Sequence, residues 1–206
     1  QFTMVVTDGH RLSRIIHKGE YADVEGKDFI VSPKALNILR TLMDGKETLK
    51  IALAENHITF DLDDSVIYSR LLEGPFPDYT QVIPKKNEKE LVVNREEITD
   101  ACRRVAILSS VITHQVRLSV AKDALTVSVN TPDVGEAVEE IHCSFANDPM
   151  DIGYNARYLL DILKTMDTDD VTFLLDRNDN AGMLLPVGGE ENMQYHCLLM
   201  PLRLND

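Results

Sequence analysis

A short stretch near the start of the chain, Thr7-Asp8-Gly9-His10-Arg11-Leu12, brings a carboxylate, an imidazole and a guanidinium close together. Such groups act as acid, base or charge stabiliser when a nucleophile converges on them in space. The stretch also follows a strand-like run, Phe2 to Thr7, and Asp-Gly is a common turn dipeptide. A catalytic cluster and a plain turn are therefore both open interpretations of these residues.

Elsewhere the sequence carries no catalytic or metal-binding signature. It contains no HExxH, GxSxG, P-loop or GxGxxG motif, and its histidines do not pair at metal-ligand spacings. The run Asp176 to Gly182 resembles a calcium loop, but the positions that need Gly and Glu hold Ala181 and Val187. We therefore predict a hairpin turn there, and we predict no metal, no cofactor and no enzymatic activity.

Three segments have the spacing of amphipathic helices, and we predict helices over residues 32–43, 94–108 and 155–166. Their first residues, Ser32, Asn94 and Asn155, are of types that cap helix N-termini. Each segment carries apolar residues at i, i+3, i+4 and i+7, which predicts one buried face. The three faces are Ala35, Ile38, Leu39 and Leu42; Ile98, Ala101, Cys102 and Val105; and Leu159, Ile162, Leu163 and Met166.

The three helical faces indicate an internal repeat. They begin 63 and 61 residues apart, at Ala35, Ile98 and Leu159. Alternating apolar and polar residues between them indicate antiparallel strands, so we predict an α+β fold of repeated helix-plus-antiparallel-strand units. We place two domains at residues 1–84 and 85–206. The first is expected to be incomplete, because projecting the repeat backwards leaves about 40 residues unaccounted for.

The composition is that of an ordinary globular protein with an acidic balance. Of 206 residues, 44% are apolar and 27% are charged, which argues against disorder. Lys and Arg number 21 against 34 Asp and Glu, and the net charge of −13 excludes nucleic-acid binding by the whole surface. The three cysteines form no CxxC pair, which fits a reducing compartment. No apolar run reaches the ~20 residues of a membrane helix.

Basic residues nevertheless recur at one phase of every predicted helix. Arg40, Arg103 and Lys164 each follow the third apolar position of their helix. This recurrence has two interpretations, a basic stripe or an interaction with the helix C-terminal dipole. Lys34 and Arg157 lie near helix starts, where a positive charge opposes the dipole, and so favour a phosphate partner.

Two apolar segments contain prolines that restrict the backbone, at residues 74–79 and at the chain end, residues 198–204. Pro201 is expected to end a strand and to leave Leu202 and Leu204 uncovered. Exposed apolar residues at these places indicate a peptide-binding groove, and local packing is the alternative.

Four motifs follow one another along the chain: Thr7 to Leu12; Gly74 to Tyr79 with Val82 and Pro84; Ala106 to Ser109; and Met200 to Leu204. In type, order and spacing they resemble the bacterial sliding clamps, the beta subunits of DNA polymerase III. The resemblance implies a DNA-clamp fold of three like domains and a head-to-tail homodimeric ring. Such a ring encircles duplex DNA and gives DNA polymerases processivity.

The resemblance also implies where this chain lies within a clamp. Residues 1–84 would be the later part of the middle domain and residues 85–206 the complete third domain. The chain is then expected to be a truncated fragment that cannot close the usual ring. The implied location is the bacterial cytoplasm, at the nucleoid.

The resemblance implies a pocket for a short linear motif carried by DNA polymerases, the clamp loader and repair proteins. The residues implied to form or border this pocket are Thr7, Gly9, His10, Arg11, Leu12, Pro77, Val82, Asn155, Tyr158, Leu198, Met200, Pro201, Leu202, Arg203 and Leu204. Part of the pocket would come from the missing segment. Asn205 and Asp206 extend beyond the family's usual last residue, which is expected to perturb the pocket edge.

Two further sets of residues follow from the resemblance. The residues implied to face duplex DNA, without reading its sequence, are Lys34, Arg40, Arg103 and Lys164. The residues implied at the interface between protomers of the ring are Ile107, Leu108, Glu136, Glu139 and Glu140.

Overall fold

The computed structural model describes residues 1–19, 21, 26, 28–132 and 134–204. Along these residues the strands are β1 (Phe2–Thr7), β2 (Arg11–His17), β3 (Lys50–Leu53), β4 (His57–Asp61), β5 (Val66–Arg70), β6 (Lys89–Asn94), β7 (Gln115–Ala121), β8 (Ala124–Thr131), β9 (Gly135–Phe145), β10 (Met150–Asn155), β11 (Asp170–Leu175), β12 (Gly182–Pro186) and β13 (Met193–Leu199). The helices are α1 (Pro33–Leu42), α2 (Arg95–Val105) and α3 (Ala156–Leu163), with 3-10 turns at Tyr79–Gln81 and Ala106–Leu108. No helix within the described ranges is long and apolar enough to cross a membrane.

The chain divides into two compact units. The larger unit comprises residues 1–21 and 80–206, and the smaller comprises residues 22–79. The first hairpin belongs to the larger unit because β2 pairs with β13, from His17 opposite Met193 to Arg11 opposite Leu199. This pairing joins residues on both sides of the domain boundary expected at residue 84, and the division into domains 1–84 and 85–206 stays a prediction.

The larger unit is built on ten antiparallel strands in the order β1-β2-β13-β12-β11-β6-β9-β8-β7-β10. The long strand β9 connects its two parts, since it pairs with β8 along most of its length and with β6 at its end. α2 and α3 pack against each other and against the strands. Both predicted apolar faces are confirmed, because every residue of them is at most 4% exposed. The predicted α+β fold is therefore observed here.

Side-chain caps start both helices of the larger unit, as the sequence predicts. The Asn94 Oδ1 accepts from the backbone N–H groups of Glu96 and Glu97, both at 3.1 Å. Asn155 caps α3 in the same way. The two helices end at Val105 and Leu163, earlier than predicted. In the turns that follow, backbone N–H groups bond to carbonyls three residues earlier, as in a 3-10 helix, instead of four.

The smaller unit packs α1 on the three-stranded sheet β3-β4-β5. Its core is formed by Leu39, Ile58, Phe60 and Leu62. The Ser32 cap is confirmed, since its hydroxyl accepts from the Lys34 backbone N–H at 3.3 Å. The buried face predicted for this helix is only half right.

Of the four apolar positions predicted to be buried in α1, two are exposed. Ala35 and Leu39 are each 7% exposed, whereas Ile38 and Leu42 are 44% and 39% exposed. The physical reason lies in the size of the layer beneath the helix. Within the smaller unit three short strands cover a narrow stripe of α1, whereas α2 and α3 have each other and several strands as neighbours.

The run Asp176 to Gly182 connects β11 to β12, which pair antiparallel from Val171 opposite Pro186 to Leu174 opposite Met183. The hairpin turn predicted there is confirmed. Within the described residues no group of His, Cys, Asp or Glu side chains is arranged to hold a metal ion.

All three cysteines are buried and unpaired, so we expect them not to react with thiol reagents in the folded protein. Cys102, Cys143 and Cys197 are at most 2% exposed, and burial raises the pKa of Cys102 to about 12. Since the thiolate is the reactive species, an aromatic disulfide reagent should label no thiol in buffer and three in denaturant. Rapid labelling of one thiol in buffer would contradict this burial.

Candidate functional site

The stretch Thr7 to Leu12 forms a tight turn between β1 and β2. The Asp8 Oδ1 accepts from the backbone N–H groups of His10 and Arg11, both at 3.0 Å. The Thr7 hydroxyl donates to the Arg11 carbonyl at 2.9 Å, and Gly9 adopts a φ of +88° that favours glycine. The turn interpretation is therefore confirmed, and the side chains of His10 and Arg11 project from it.

Arg11 and His10 are held against the first turns of α3. The Arg11 guanidinium lies 4.5 Å from the centre of the Tyr158 ring and donates to Asp161 at 2.8 Å and to Asp8 at 3.0 Å. The His10 ring stacks on Tyr158 with 6.0 Å between ring centres. Two carboxylates and an aromatic face thus fix the guanidinium in one place.

The charge of Asp8 is matched to this arrangement. Burial acts to raise the pKa of Asp8, but hydrogen bonds from the backbone of His10 and Arg11 and from the Arg11 guanidinium lower it overall. The carboxyl therefore stays ionised and keeps the turn closed at neutral pH. The cluster presents a fixed charged and aromatic surface.

Asn155 positions Tyr158. Its Oδ1 accepts from the backbone N–H groups of Arg157 at 3.0 Å and Tyr158 at 3.3 Å, and its Nδ2 donates to the Thr113 carbonyl at 3.0 Å. The side chain therefore orders the start of α3 and ties it to the loop that precedes β7. Its amide is occupied by these contacts.

An apolar row crosses four neighbouring strands of the sheet. Thr7 lies opposite Leu12, Leu12 opposite Leu198, and Leu198 opposite Met183. Opposed residues in antiparallel strands share one face of the sheet. The three apolar members are 3%, 4% and 8% exposed, respectively. They form a buried, well-packed apolar stretch on this face of the sheet.

The chain end runs beside both features. The Met200 N–H donates to the His10 carbonyl at 2.9 Å, and the Met200 side chain is 42% exposed. The Leu202 N–H donates to the Gly153 carbonyl at 2.8 Å, and the Gln115 amide donates to the Arg203 carbonyl at 3.0 Å. Backbone hydrogen bonds thus hold the chain end against the turn of residues 7–12 and against β10.

Leu202 and Leu204 differ from the expectation that they lie uncovered. Both are partly buried, as is Pro201, whereas Arg203 is exposed. Gly153 explains the difference, because its lack of a side chain lets residues 202–204 pack directly on β10. The expected effect of Asn205 and Asp206 on the pocket edge lies outside the described residues.

Two other residues of the expected pocket, Val82 and Pro77, are described by their own surroundings. Val82 is 55% exposed and lines a cavity of about 450 Å³ formed by residues 80–87 with Asp176 and Asn180 of the β11–β12 turn. That cavity is lined by no other residue of the expected pocket. Pro77 belongs to the smaller unit. The roles of Val82 and Pro77 stay predictions.

The residues expected to face DNA are all exposed. Lys34 and Arg40 lie on α1 in the smaller unit. Arg103 on α2 and Lys164 at the end of α3 lie on helices that contact each other in the larger unit. Arg103 also donates to Asp100, one turn earlier, at 3.3 Å.

The residues expected at a protomer interface lie on the 3-10 turn after α2 and on β9. Ile107 is 78% exposed, and Leu108 packs against the core. Glu139 accepts two hydrogen bonds from the Arg104 guanidinium, both at 2.6 Å, so its charge is already matched within the chain. Glu136 and Glu140 are exposed on the same strand.

Four residues that hold the site escaped the sequence analysis: Asp161, Gln115, Gly153 and Met183. Asp161 follows Tyr158 by three residues on α3, so helical spacing alone places it on the same face. The other three carry no local signal. Their roles depend on strand register and on how the chain end returns to β10.

Comparison with known proteins gives consistent matches along the chain. Residues 1–78 match the family described as DNA polymerase III beta subunit, central domain, and residues 80–203 match its C-terminal domain. The beta sliding clamp of Pseudomonas putida is 34% identical over 201 residues, which is 97% of this chain and 54% of that protein. The chain therefore spans about half the length of the curated relatives it matches.

Comparison with solved structures gives the same family of similar proteins. The sliding clamp of Bartonella birtlesii bound to griselimycin superposes with a TM-score of 0.91 at 32% identity, covering 98% of this chain and 54% of that one. The DNA polymerase sliding clamp of Pseudomonas aeruginosa gives a TM-score of 0.89 at 30% identity, covering 98% and 55%. The repeated helix-plus-strand architecture described above is thus shared with these proteins.

Proposed function

Because the chain belongs to the family of DNA polymerase III beta subunits, the sliding clamps, we propose that it is part of a ring around duplex DNA. The ring is a non-catalytic processivity factor of replication in the bacterial cytoplasm. It holds DNA polymerases, the clamp loader and repair proteins through a short linear motif that they carry. In its full-length form the protein is a head-to-tail homodimer.

The observation that carries this proposal is a two-part arrangement in the larger unit. One part is the buried apolar row of Leu12, Leu198 and Met183, and the other is the partly exposed Tyr158 with the fixed His10 and Arg11 side chains. A linear peptide with apolar and aromatic side chains suits such a surface, since apolar floors accept those side chains and polar groups orient the backbone. Met200 borders both parts.

The charges support topological binding of DNA. A protein with a net charge of −13 binds a free duplex weakly, whereas a closed ring needs only a few basic side chains toward the phosphates. We assign Lys34, Arg40, Arg103 and Lys164 to that lining, because all four are exposed, three of them on helices and Lys164 directly after α3. Ile107 is assigned to the protomer interface on account of its exposure.

We expect a fluorescent Gln-Leu-x-Leu-Phe peptide to bind this chain saturably, and Met200→Arg to weaken the affinity about tenfold. A long charged side chain at this position meets the apolar groups of the peptide and must be desolvated. Anisotropy titration measures the affinity. Met193→Arg is the matched control, because Met193 lies at the other end of β13 with a similar exposed fraction, 40% against 42%.

Equal loss in both arginine variants would show that the effect is one of stability or charge and not of the site. Absence of saturable binding by the folded wild-type chain would contradict the proposed peptide site. Tight binding of a linear duplex with a steep salt dependence would instead favour a conventional DNA-binding module.

A further inference from the structure

The loop of residues 109–114, between the 3-10 turn and β7, presents an exposed apolar pair. Val111 is 85% exposed and Ile112 is 87% exposed, more than any other large apolar side chain of the described residues. Residues 109–113 are Ser-Ser-Val-Ile-Thr and carry no charge, in a protein of net charge −13. The loop therefore offers an exposed, uncharged apolar group on an acidic protein.

The shape of this loop is fixed by hydrogen bonds at both ends. The Ser109 hydroxyl donates to the Ala106 carbonyl at 2.7 Å, and the His114 N–H donates to the Ser110 carbonyl at 2.8 Å. The Ala156 N–H donates to the His114 carbonyl at 2.8 Å. The pair is therefore exposed on a loop of fixed shape. A ligand that packs on it causes little loss of conformational entropy in the loop.

The same loop adjoins the candidate peptide site on two sides. Thr113 accepts from Asn155, the residue that caps α3 and orders Tyr158. Gln115, directly after the loop, donates to the Arg203 carbonyl of the chain end. The loop that carries the apolar pair is thus bonded to the cap of α3 and is followed by a residue bonded to the chain end.

We propose that Val111 and Ile112 form an additional subsite for an apolar side chain that flanks the linear motif in a partner peptide, an inference that rests on the proposed function. The occupant is a peptide and not a second copy of the chain. The loop is bonded to Asn155 and is followed by Gln115, which is bonded to the chain end, whereas Ile107, assigned to the protomer interface, lies on the preceding 3-10 turn. Their uncharged surroundings suit an aliphatic side chain and not a phosphate or a carboxylate.

The test compares three peptides by anisotropy: the bare Gln-Leu-x-Leu-Phe motif, and the motif extended by three residues ending in leucine at either the amino or the carboxyl end. In two matched control peptides, serine replaces the leucine of the amino-terminal or the carboxyl-terminal extension. At least one leucine extension should improve the affinity about tenfold over its serine counterpart, the gain expected from burying one aliphatic side chain. The double variant V111S/I112S should lose this gain and bind the bare motif as the wild type does.

The double variant V134S/V138S is the matched control, because Val134 and Val138 are 59% and 56% exposed and lie outside the loop of residues 109–114. It should keep the gain in affinity. The inference is overturned if neither leucine extension gains affinity, or if the gain survives in V111S/I112S. It is also overturned if sedimentation shows a wild-type dimer that V111S/I112S abolishes. Failure of the bare motif to bind would overturn the proposed function, so the two failures are distinguishable.

Discussion

Replacing Gly153 by alanine is expected to weaken binding of the motif peptide about thirtyfold. A Cβ at this position would lie 2.8 Å from the Leu202 carbonyl oxygen, 2.8 Å from the Leu204 Cδ2 and 2.9 Å from the Gln115 Nε2. The Leu202 carbonyl belongs to the backbone and cannot rotate away as a side chain does. Residues 202–204 must therefore leave β10, and the hydrogen bond from Leu202 to Gly153 is lost.

The loss of affinity follows from how the chain end shapes the site. Pro201 to Leu204 continue directly from Met200, whose N–H is bonded to His10. A factor of thirty corresponds to about 2 kcal/mol, which is reasonable for one lost backbone hydrogen bond and several displaced apolar contacts. The free energy of unfolding should fall less, because β10 stays paired with β7 along its whole length.

Gly26→Ala is the control for Gly153→Ala. A Cβ at Gly26 has no neighbour within 4 Å among the described residues, so this variant should match the wild type in both affinity and stability. Unchanged peptide affinity in a folded Gly153→Ala protein would mean that residues 202–204 take no part in the site. Circular dichroism on both variants separates loss of affinity from loss of fold.

The helices of this chain could be predicted because their signals are local. Ser32, Asn94 and Asn155 cap the helices as expected, and the apolar spacing identified the buried faces of α2 and α3. The face of α1 was wrong at Ile38 and Leu42 because periodicity reports which side of a helix is apolar and not how wide the covering layer is. That width depends on the number of strands beneath the helix.

The candidate site also has one part that the sequence predicts and one part that it does not. The turn of residues 7–12 is encoded by its own Asp and Gly, so sequence alone could place it between two strands. The row that joins Leu12 to Leu198 and Met183 depends on β2 pairing with β13, far along the chain. Strand register of this kind has no local signal, so Met183 and Gly153 could not be found from sequence.

Gly182→Ala is expected to cost about 3 kcal/mol of the free energy of unfolding. The new Cβ would fall far inside contact distance of the Tyr154 hydroxyl and 3.1 Å from the Leu175 Cδ2. Tyr154 is fully buried, so neither the ring nor the added methyl group has space to move into. Overpacking a close-packed core in this way strains rotamers and backbone.

The neighbouring tyrosine supplies a control that isolates this clash. Within the described residues the Tyr154 hydroxyl is buried without a hydrogen-bond partner, and its burial raises the pKa of the phenol, so it stays neutral. Tyr154→Phe should therefore change stability little on its own, because no hydrogen bond is lost. It removes the atom that the Gly182→Ala methyl group meets first.

In the Tyr154→Phe background, Gly182→Ala should then cost at least 1 kcal/mol less than it does in the wild type, which is a favourable coupling in a double-mutant cycle. Urea unfolding of the four proteins measures the coupling. An equal cost in both backgrounds would place the strain of Gly182→Ala elsewhere, at Leu175 or in the backbone of β12. A coupling of the expected sign would tie the start of β12, and with it the Met183 end of the apolar row, to the packing of Tyr154 in the core.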